Sequence, residues 1–483
     1  MHLDLRTMQF ANTTIDEDRL AVAGSDRSLC WAELQAEVAR WCRQAQNMGL
    51  QRDMPIVLAG HKEAHFFVAM AGCLILGAPF VPVDTIYPAE RRQKITDIIK
   101  APLVYDAAGR TFTRSSHTFA ALPEKDLAYV LFTSGSTGEP KGVQIGRESV
   151  RLLGDWMQSR FGLGHAPVFM NQAPFSFDLS MFEVFDTLAS GGACILNSRE
   201  QIQDATGFLQ RLGQHRVTCW VSTPSFAHQQ LLNKDFAGEF LPSLDTFLFC
   251  GEVLPHALCK RLLQRFPKAK ILNTYGPTEA TVATTLVEID QTVLDTHTVL
   301  PVGYPKPDCE IVIVDGEICI IGDHVMRGYL NRPELNREKL FIHSNGQRGF
   351  KTGDLGQIDE AGLLWCQGRR DDQVKLNGYR IELAEISRAL QALDEVKAAI
   401  CVALRRADQT VARLLGFVEL EPSSGRTATT EWAPYPAEQW KPQLEQRLPP
   451  YMLPSEILTV TALPMSVNHK IDGKALLQGY LKL

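Results

Sequence analysis

Residues 131–143 read LFTSGSTGEPKGV, and they are the most informative stretch of the sequence. Two glycines and four hydroxyl residues fill positions 133–138, so backbone N–H and side-chain O–H groups can converge on one anion. Lys141 adds a positive charge. The apolar run 129–132 predicts a buried strand before the loop, which is the usual position of a phosphate loop in an α/β protein. The stretch therefore predicts nucleotide chemistry.

The order of residues in this loop differs from that of an ordinary P-loop. In G-x-x-x-x-G-K-[ST], a hydroxyl residue that can hold magnesium follows the lysine, whereas here Gly142 follows Lys141. An ordinary P-loop nucleoside triphosphatase is therefore not expected. Composition alone would also allow a plain surface loop rich in Ser, Thr and Gly.

Length and composition narrow the class of protein. A chain of 483 residues exceeds the size that one hydrophobic core usually serves, so at least two domains are expected. The formal net charge of -6 gives no reason to expect nucleic acid as the partner. Eleven cysteines occur without any C-x-x-C pair, which indicates neither a zinc site nor a disulfide framework and favours a reducing cytoplasm.

Neither a signal peptide nor a membrane helix is expected. The first residues lack a basic segment followed by an apolar one. The long apolar run 66–83 contains two glycines and two prolines and would make a poor membrane helix. We expect a buried helix that passes into a strand at residues 80–83.

Helical and strand patterns alternate along most of the chain, which predicts α/β layers. Helices are expected at residues 208–214 and 255–266, and strands at 217–221 and 270–273. In open α/β sheets, ligands bind at the carboxyl ends of strands. The turns expected to line a site are therefore 222–224, 250–252 and 274–277.

The pattern changes towards the C-terminus. Strands at 311–314 and 318–321, joined by a tight Asp315-Gly316 turn, predict a β-rich subdomain. Beyond residues 368–372, an amphipathic helix is expected at 381–393. The segment 422–436 is rich in Ser, Thr, Gly and Pro and is predicted to be a surface loop.

Six motifs together resemble the adenylate-forming superfamily, which includes acyl-CoA synthetases, firefly luciferase and the adenylation domains of nonribosomal peptide synthetases. In the typical order and approximate spacing, they are residues 133–142, 177–180, 273–279, 352–354, 368–375 and 468–472. The resemblance spans about residues 20–475, nearly the whole chain. Residues 171–180 (NQAPFSFDLS) and 249–255 (FCGEVLP) are most similar to the D-alanine:D-alanyl carrier protein ligases.

The resemblance implies an α/β fold with two domains. The large N-terminal domain, residues 1–370, would consist of α/β layers with a β-rich subdomain and would bind ATP and the amino acid. The small, mobile α+β domain, residues 371–483, would carry the catalytic lysine. Asp371 resembles the hinge residue about which the small domain rotates between half-reactions.

The implied cofactors are ATP and Mg2+. Activation of a carboxylate by ATP joins two anions, so the site must supply cations and oriented donors. Lys470 resembles the catalytic lysine that bridges the substrate carboxylate and the α-phosphate region, although His469 stands where glycine is usual. Glu279 resembles the magnesium ligand, because a single carboxylate suits an ion that keeps much of its water.

Further motif residues resemble the nucleotide contacts of the family. Tyr275 would lie against the adenine, Asp354 would receive both ribose hydroxyls, and Arg369 would make a second contact. Judged locally, these residues are also typical of a packed tyrosine and of an aspartate in a turn. The residues that the resemblance places around ATP are Thr133, Ser134, Gly135, Ser136, Thr137, Gly138, Lys141, Gly251, Asn273, Thr274, Tyr275, Gly276, Thr278, Asp354, Arg369 and Lys470.

Asp178 indicates the substrate class. In relatives that activate α-amino acids, this aspartate pairs with the α-ammonium, a charge-assisted hydrogen bond of about 1.5 to 3 kcal/mol. The remaining pocket positions implied by the resemblance are uncharged: Leu179, Phe182, Val221, Leu248, Cys250, Thr274, Val282 and Ala283. Because Phe182 fills space, a small apolar amino acid is favoured, alanine first. Cys250 matches a cysteine near the substrate methyl in the D-alanyl ligases, which favours D-alanine, whereas by itself it is also typical of a small core residue.

The expected function is ATP-dependent activation of a small amino acid, D-alanine first, and its transfer to the phosphopantetheine thiol of a carrier protein. Since no carrier-site motif follows residue 475, a separate carrier is expected, and the enzyme is expected to be a cytoplasmic monomer. Glycine, L-alanine, serine and proline stay open as substrates, including in natural-product biosynthesis. An acyl-CoA ligase would have no use for Asp178, and a non-catalytic adenylate-binding relative would not need Lys470, Glu279 and Asp354 together.

Overall fold

The structure is a computed structural model, and it describes residues 2–11, 16–118, 122–135, 139–406, 410–421, 432–465 and 471–482. The internal contacts divide the chain into two compact units. The first unit comprises Met1–Thr85, Thr96–Phe132 and Gly142–Arg370. The second comprises Ile86–Ile95, Thr133–Lys141 and Asp371–Leu483.

The strands of the described residues are β1 His2–Asp4, β2 Gln9–Ala11, β3 Leu20–Ala23, β4 Ser28–Cys30, β5 Ile56–Gly60, β6 Phe80–Asp84, β7 Leu103–Asp106, β8 Thr111–Arg114, β9 Leu127–Thr133, β10 Lys141–Gly146, β11 Val168–Asn171, β12 Ala193–Leu196, β13 Cys219–Ser222, β14 Thr246–Phe249, β15 Lys270–Tyr275, β16 Thr285–Glu288, β17 Tyr304–Pro305, β18 Glu310–Val314, β19 Glu317–Ile321, β20 Gly328–Tyr329, β21 Leu340–Ile342, β22 Arg348–Ile358, β23 Leu364–Arg369, β24 Gln373–Leu376, β25 Tyr379–Glu382, β26 Val396–Arg405, β27 Val411–Leu420, β28 Trp432–Pro434 and β29 Glu456–Val460.

The α-helices of the described residues are α1 Trp31–Asn47, α2 Ala64–Leu76, α3 Ala89–Ile99, α4 Arg147–Arg160, α5 Ser180–Ser190, α6 Arg199–Gln203, α7 Ala205–Gln214, α8 Pro224–Gln230, α9 His256–Arg265, α10 Gln291–Thr296, α11 Pro333–Lys339, α12 Leu383–Gln391, α13 Ala437–Glu445 and α14 Gly473–Tyr480. In the described part of the chain, no helix has both the length and the apolar composition needed to span a bilayer.

Two large sheets build most of the first unit. One has seven strands in the order β20-β10-β9-β6-β5-β7-β8, and the other has nine in the order β17-β16-β15-β14-β13-β11-β12-β3-β4. Their central strands pair in parallel, and antiparallel strands close the edges. Every residue of β6 and β9 is buried, as continuous apolar runs in parallel sheets require. The α/β fold class is confirmed.

The long apolar run forms a helix and then a strand, as predicted. Helix α2 is apolar on all sides, and most of its side chains are buried, which is typical of a helix inside a core. It ends at Gly77, whose φ of 71° places it in the left-handed region that commonly terminates helices. Strand β6 follows after three residues.

The β-rich part of the first unit is a five-stranded sheet of β18, β19, β21, β22 and β23. Its first hairpin pairs Val314 with Glu317 across the predicted turn. Asp315 and Gly316 have φ of 50° and 79°, and two positive φ angles match the twist of a two-residue hairpin. The predicted hairpin is confirmed.

The second unit contains a four-stranded sheet in the order β26-β27-β29-β28 and the hairpin β24-β25. Helix α12 buries Ile386 and Leu390 in the apolar core of this unit. The surface-loop prediction for 422–436 is wrong at Trp432–Pro434, which forms edge strand β28 against β29. The Trp432 ring packs on Phe417 at 5.5 Å, and an edge position tolerates Pro434. Residues 422–431 lie outside the described residues.

Candidate active site

Asp178 lies in the segment between β11 and the first turn of α5, in the first unit. Only 6% of the surface of this residue is exposed to solvent, and its backbone carbonyl accepts a hydrogen bond from the Met181 N–H at 2.9 Å. Burial, and then the charge of Asp178, raise the pKa of Tyr129 well above its usual value, so the carboxylate lies near that phenol. The fold thus holds the predicted amino-group ligand inside the protein.

The predicted pocket residues come from adjacent elements. Val221 on β13 is directly beside Leu248 on β14. The Cys250 Sγ, just after β14, lies 3.7 Å from the Val282 carbonyl oxygen. All the apolar pocket positions belong to one continuous buried cluster: Leu179, Phe182, Val221, Leu248, Cys250, Val282 and Ala283.

Two more of the predicted pocket residues, Thr274 and Phe182, make contacts with neighbouring elements. The Thr274 hydroxyl donates to the Phe249 carbonyl at 2.8 Å, which joins β15 to the end of β14. The Phe182 ring lies 6.0 Å from the Phe161 ring, so one of its faces is used in core packing.

The turn after β14 meets the Asp178 segment. Gly251 has a φ of 95°, which favours glycine, and a Cβ built there would lie 3.8 Å from the Phe177 ring and 3.5 Å from the Thr223 methyl. The turns that follow β13 and β14 and the segment before α5 therefore converge, as expected at the carboxyl end of a parallel sheet.

The loop from Glu279 to Thr284 carries backbone strain. Thr281 and Val282 have φ of 59° and 69°, and a β-branched residue at positive φ is a genuine outlier that costs about 1–3 kcal/mol. The Thr281 hydroxyl donates to the His324 carbonyl at 2.7 Å, and the Met326 N–H donates to the Glu279 carbonyl at 2.8 Å. These bonds hold the strained backbone against the pocket. Sequence patterns contain no signal for this strain.

Tyr275, Asp354 and Arg369 form one hydrogen-bonded group. The Tyr275 hydroxyl donates to Asp354 Oδ2 at 2.6 Å, and Arg369 Nη1 donates to Asp354 Oδ1 at 2.6 Å. Burial and the neighbouring Asp354 raise the pKa of Tyr275 well above its usual value, so its phenol stays protonated as a donor. Three residues predicted from three separate motifs are thus brought together.

Glu279 is fully buried at the N-terminus of a short 3-10 helix that begins at Thr278. Its Oε1 accepts a hydrogen bond from the Tyr329 hydroxyl at 2.5 Å. Among the described residues, no cluster of three or more His, Cys, Asp or Glu side chains could hold a metal ion. A lone carboxylate fits Mg2+ that takes its other ligands from phosphate oxygens and water. The sequence did not indicate Tyr329, because this tyrosine lies outside the six motifs.

The remaining predicted nucleotide contacts in the first unit have structural roles of their own. The Asn273 side chain donates to the Pro301 carbonyl at 2.7 Å. Gly276 packs against the backbone of the strained loop, because a Cβ there would lie 2.5 Å from the Ala283 Cα.

The phosphate loop belongs to the second unit. The Ser134 hydroxyl donates to the Arg380 carbonyl at 2.7 Å, and the Gly135 N–H donates to Glu385 Oε2 at 3.2 Å. Lys141 Nζ lies 3.0 Å from Glu382 Oε1. Gly135 and Lys141 thus hold carboxylate oxygens of the same chain. Thr133 is buried, and its hydroxyl has no hydrogen-bond partner among the described residues.

One more residue of the second unit takes part in this cluster. Arg91 donates to Glu385 Oε1 at 2.7 Å, and both side chains are 5% exposed. Arg91, Glu382 and Glu385 are distant in sequence from the loop, so the motifs could not indicate them. Ser136, Thr137, Gly138 and the predicted catalytic Lys470 lie outside the described residues.

Comparisons with known proteins show which sequences this chain resembles. Residues 10–117 and 98–330 match the family model described as AMP-binding enzyme. The D-alanine--D-alanyl carrier protein ligase of Bacillus cytotoxicus is 38% identical over 88% of this chain and 89% of the relative. The ligase of the same name from Bacillus cereus strain G9842 is 37% identical over 95% of this chain and 96% of the relative.

A solved structure has the same fold. The Vibrio cholerae adenylation domain AlmE, in complex with glycyl-adenosine-5'-phosphate, matches with a TM-score of 0.83 at 21% identity, covering 99% of this chain and 97% of that chain. At this identity the likeness shows the fold alone. The family match covers more than half of the sequence, and the ligase relatives match across most of it, so the chain belongs to the AMP-binding enzyme family.

Proposed function

We propose that the protein is an AMP-forming ligase that activates a small amino acid, D-alanine first, and transfers it to the phosphopantetheine thiol of a separate carrier protein. The observation that carries the proposal is the buried Asp178 carboxylate next to a set of apolar pocket positions. The α-ammonium of an amino acid can pair with such a carboxylate through a charge-assisted hydrogen bond. The names of the ligase relatives support the same substrate and acceptor.

The first half-reaction is adenylation. The amino acid carboxylate attacks the α-phosphorus of ATP, the bond to the β-phosphate oxygen breaks, and pyrophosphate leaves. Asp178 would hold the ammonium, and Asp354 would receive the ribose hydroxyls. Because Tyr275 and Arg369 already donate to Asp354, its carboxylate is oriented before the nucleotide arrives.

The charge of the triphosphate requires cations and N–H donors. Gly135 and Lys141 would supply donors from the phosphate loop, and Lys470 would act on the charge that develops at the α-phosphate. Glu279 would hold Mg2+, which neutralises phosphate charge when bound. Tyr329 would orient Glu279 through its hydrogen bond.

The second half-reaction is thiol transfer. The phosphopantetheine sulfur attacks the acyl carbon, a thioester forms, and AMP leaves. Asp371 would be the hinge between the half-reactions, which is supported by the boundary between the two units after Arg370. All eleven cysteines lie among the described residues and none of them is in a disulfide, which supports a reducing, cytoplasmic location.

Amino-acid-dependent exchange of pyrophosphate into ATP tests the proposal. We expect D-alanine to give the highest kcat/KM among both enantiomers of the common amino acids. Fatty and aryl acids serve as the matched negative set, because they have no ammonium for Asp178. Exchange with those acids and none with amino acids would favour an acyl-CoA ligase and overturn the proposal.

A further inference from the structure

Lys62 is a fully buried lysine, 0% exposed, in the turn between β5 and α2 of the first unit. A lysine ammonium in a protein interior is unfavourable unless it is paired and hydrogen-bonded. No motif of the sequence involves Lys62, and it is separate from the nucleotide contacts described above. Its partners therefore indicate what the lysine does.

The ammonium of Lys62 reaches the segment that carries Asp178. It donates to the Asn171 side-chain oxygen and to the Ala173 carbonyl oxygen. Asn171 in turn donates through Nδ2 to Glu183 Oε1 at 2.9 Å, and all three side chains are fully buried. Lys62 Nζ also lies 4.8 Å from the centre of the Phe175 ring.

Two buried carboxylates, Asp84 and Glu183, act on the buried Lys62 ammonium. Burial lowers the pKa of Lys62 to about 8, while the charges of Asp84 and Glu183 oppose this shift. Burial raises the pKa of Glu183 to about 8, and hydrogen bonding, including that from Asn171, opposes the rise. The Asn171 amide lies between Lys62 and Glu183, and the charge of each of these two groups opposes the pKa shift of the other.

The network holds both ends of one segment. Asn171 is the last residue of β11, and Glu183 lies in the first turn of α5. Ala173 lies two residues into the connection, and Asp178 lies between Ala173 and Glu183. Through these bonds Lys62 holds the backbone at Ala173 and, by way of Asn171, is joined to Glu183 beyond Asp178.

We propose that Lys62 is a positioning residue that fixes residues 171–183 so that Asp178 meets the α-ammonium of the amino acid. This inference rests on the proposed function, since it requires that Asp178 binds an amino group. A displacement of about 1 Å at a binding group can lower the rate about 100-fold. A lysine that anchors a carbonyl oxygen in this segment prevents such displacement.

The test is the double variant Lys62→Met/Glu183→Gln. It removes the charges of Lys62 and Glu183 together, and the amide oxygen introduced at position 183 still accepts from Asn171. Asp84 keeps the His61 ring nitrogen 2.8 Å away. The Asn171 side-chain oxygen and the Ala173 carbonyl, however, lose the Lys62 donor, and circular dichroism checks that the variant is folded. In pyrophosphate exchange, we expect KM for the amino acid to rise about 10- to 100-fold, while KM for ATP stays within about two-fold.

The matched control is Asp186→Asn on the same helix. Asp186 is buried and accepts a hydrogen bond from Gln158, outside the network of Lys62. This variant should leave both KM values unchanged. The single variant Lys62→Gln provides a second test, because its shorter side chain keeps a donor yet does not reach Ala173, and it should raise KM for the amino acid in the same direction.

A purely structural role gives a different result. Loss of folded enzyme lowers kcat for both substrates and leaves both KM values unchanged, and this outcome in a folded double variant would overturn the inference. Asp178→Asn in the same assay separates the two proposals. If Asp178→Asn also leaves KM for the amino acid unchanged, or wild type shows no amino-acid-dependent exchange, the proposed function fails first.

Discussion

At the residue scale, the proposed substrate class rests on Asp178. We expect Asp178→Asn to abolish amino acid activation, because the substrate ammonium would be buried without its charge partner at a cost of several kcal/mol, about 3–5. Exchange should fall at least 100-fold, whereas ATP binding, measured by isothermal titration calorimetry, should be nearly unchanged. Activation of alanine within a few-fold of wild type would show that Asp178 does not contact the amino group.

Cys250 is the residue expected to distinguish enantiomers. Its Sγ lies 3.7 Å from the carbonyl oxygen of the strained Val282, on the predicted wall of the pocket. Cys250→Ala removes bulk there, so the ratio of kcat/KM for D-alanine over L-alanine should fall by up to about 100-fold. Cys259→Ala, a buried cysteine on α9, is the control. An unchanged ratio in Cys250→Ala would make Cys250 a simple core residue.

Single motifs indicated candidate site residues, but they did not indicate which of these residues contact one another. Tyr275, Asp354 and Arg369 each carried a recognisable motif, and the structure joins them in one hydrogen-bonded group. Lys62 and Tyr329 could not be predicted, because a buried lysine or tyrosine has no distinctive neighbours in sequence. Their roles arise from partners about fifty or more residues away.

At the element scale, the connection between β15 and β16 shapes the site. Its strained part packs on Gly276, where a Cβ would lie 2.5 Å from the Ala283 Cα. Gly276→Ala should push that backbone away, lower the free energy of unfolding by about 1–3 kcal/mol and raise KM for the amino acid. Thermal denaturation and pyrophosphate exchange measure the two effects.

The control for this prediction is Gly213→Ala on α7. Gly213 is helical, and a Cβ there would have no neighbour closer than 3.7 Å. Alanine should therefore stabilise the protein by about 0.5–1 kcal/mol with no change in KM. A Gly276→Ala variant that behaves like this control would show that the connection can adapt without affecting the pocket.

Local sequence patterns predicted the β18–β19 hairpin and helix α9, but not strand β28. Asp315-Gly316 identified its hairpin, because two residues at positive φ leave few alternatives. Helix α9 runs His256–Arg265 where 255–266 was expected, a difference of one residue at each end. Strand β28 was missed, since a three-residue edge strand with a proline depends on its partner rather than on its own propensity.

At the scale of the whole molecule, the two half-reactions should be separable. Lys470→Ala should lower pyrophosphate exchange by about 100- to 1,000-fold, because the variant loses charge stabilisation during adenylation. It should still transfer chemically supplied aminoacyl-adenylate to the carrier. Asp371→Pro fixes φ at the proposed hinge and should keep exchange but fail at transfer.

Asp372→Ala, one residue beyond the proposed hinge, is the control for the proline variant. It leaves the backbone free to rotate and should retain both reactions. If Asp371→Pro transfers at the wild-type rate, either the hinge lies elsewhere or no rotation is needed. Circular dichroism checks that each variant is folded.

The composition of the two units could not be predicted from sequence. Residues 86–95 and 133–141 belong to the same unit as the C-terminal residues from 371 onwards. Contacts such as Arg91 with Glu385 join residues almost three hundred positions apart, and no local pattern records them.

Glu382 and Glu385 contact donors of residues 133–141 that the proposed function assigns to ATP, so the chain would compete with its own nucleotide. Glu382 and Glu385 occupy the Lys141 ammonium and the Gly135 N–H, and a tethered anion acts at an effective concentration in the millimolar range. If ATP uses these donors, its apparent dissociation constant rises as the fraction of loops with free donors falls. Glu382→Gln should therefore tighten ATP binding in an equilibrium titration, and Glu334→Gln, an exposed carboxylate on α11, should not. Weaker or equal binding in Glu382→Gln would contradict this competition. Tighter binding would mean that the affinity for ATP depends partly on the fraction of molecules in which these carboxylates have left the loop donors.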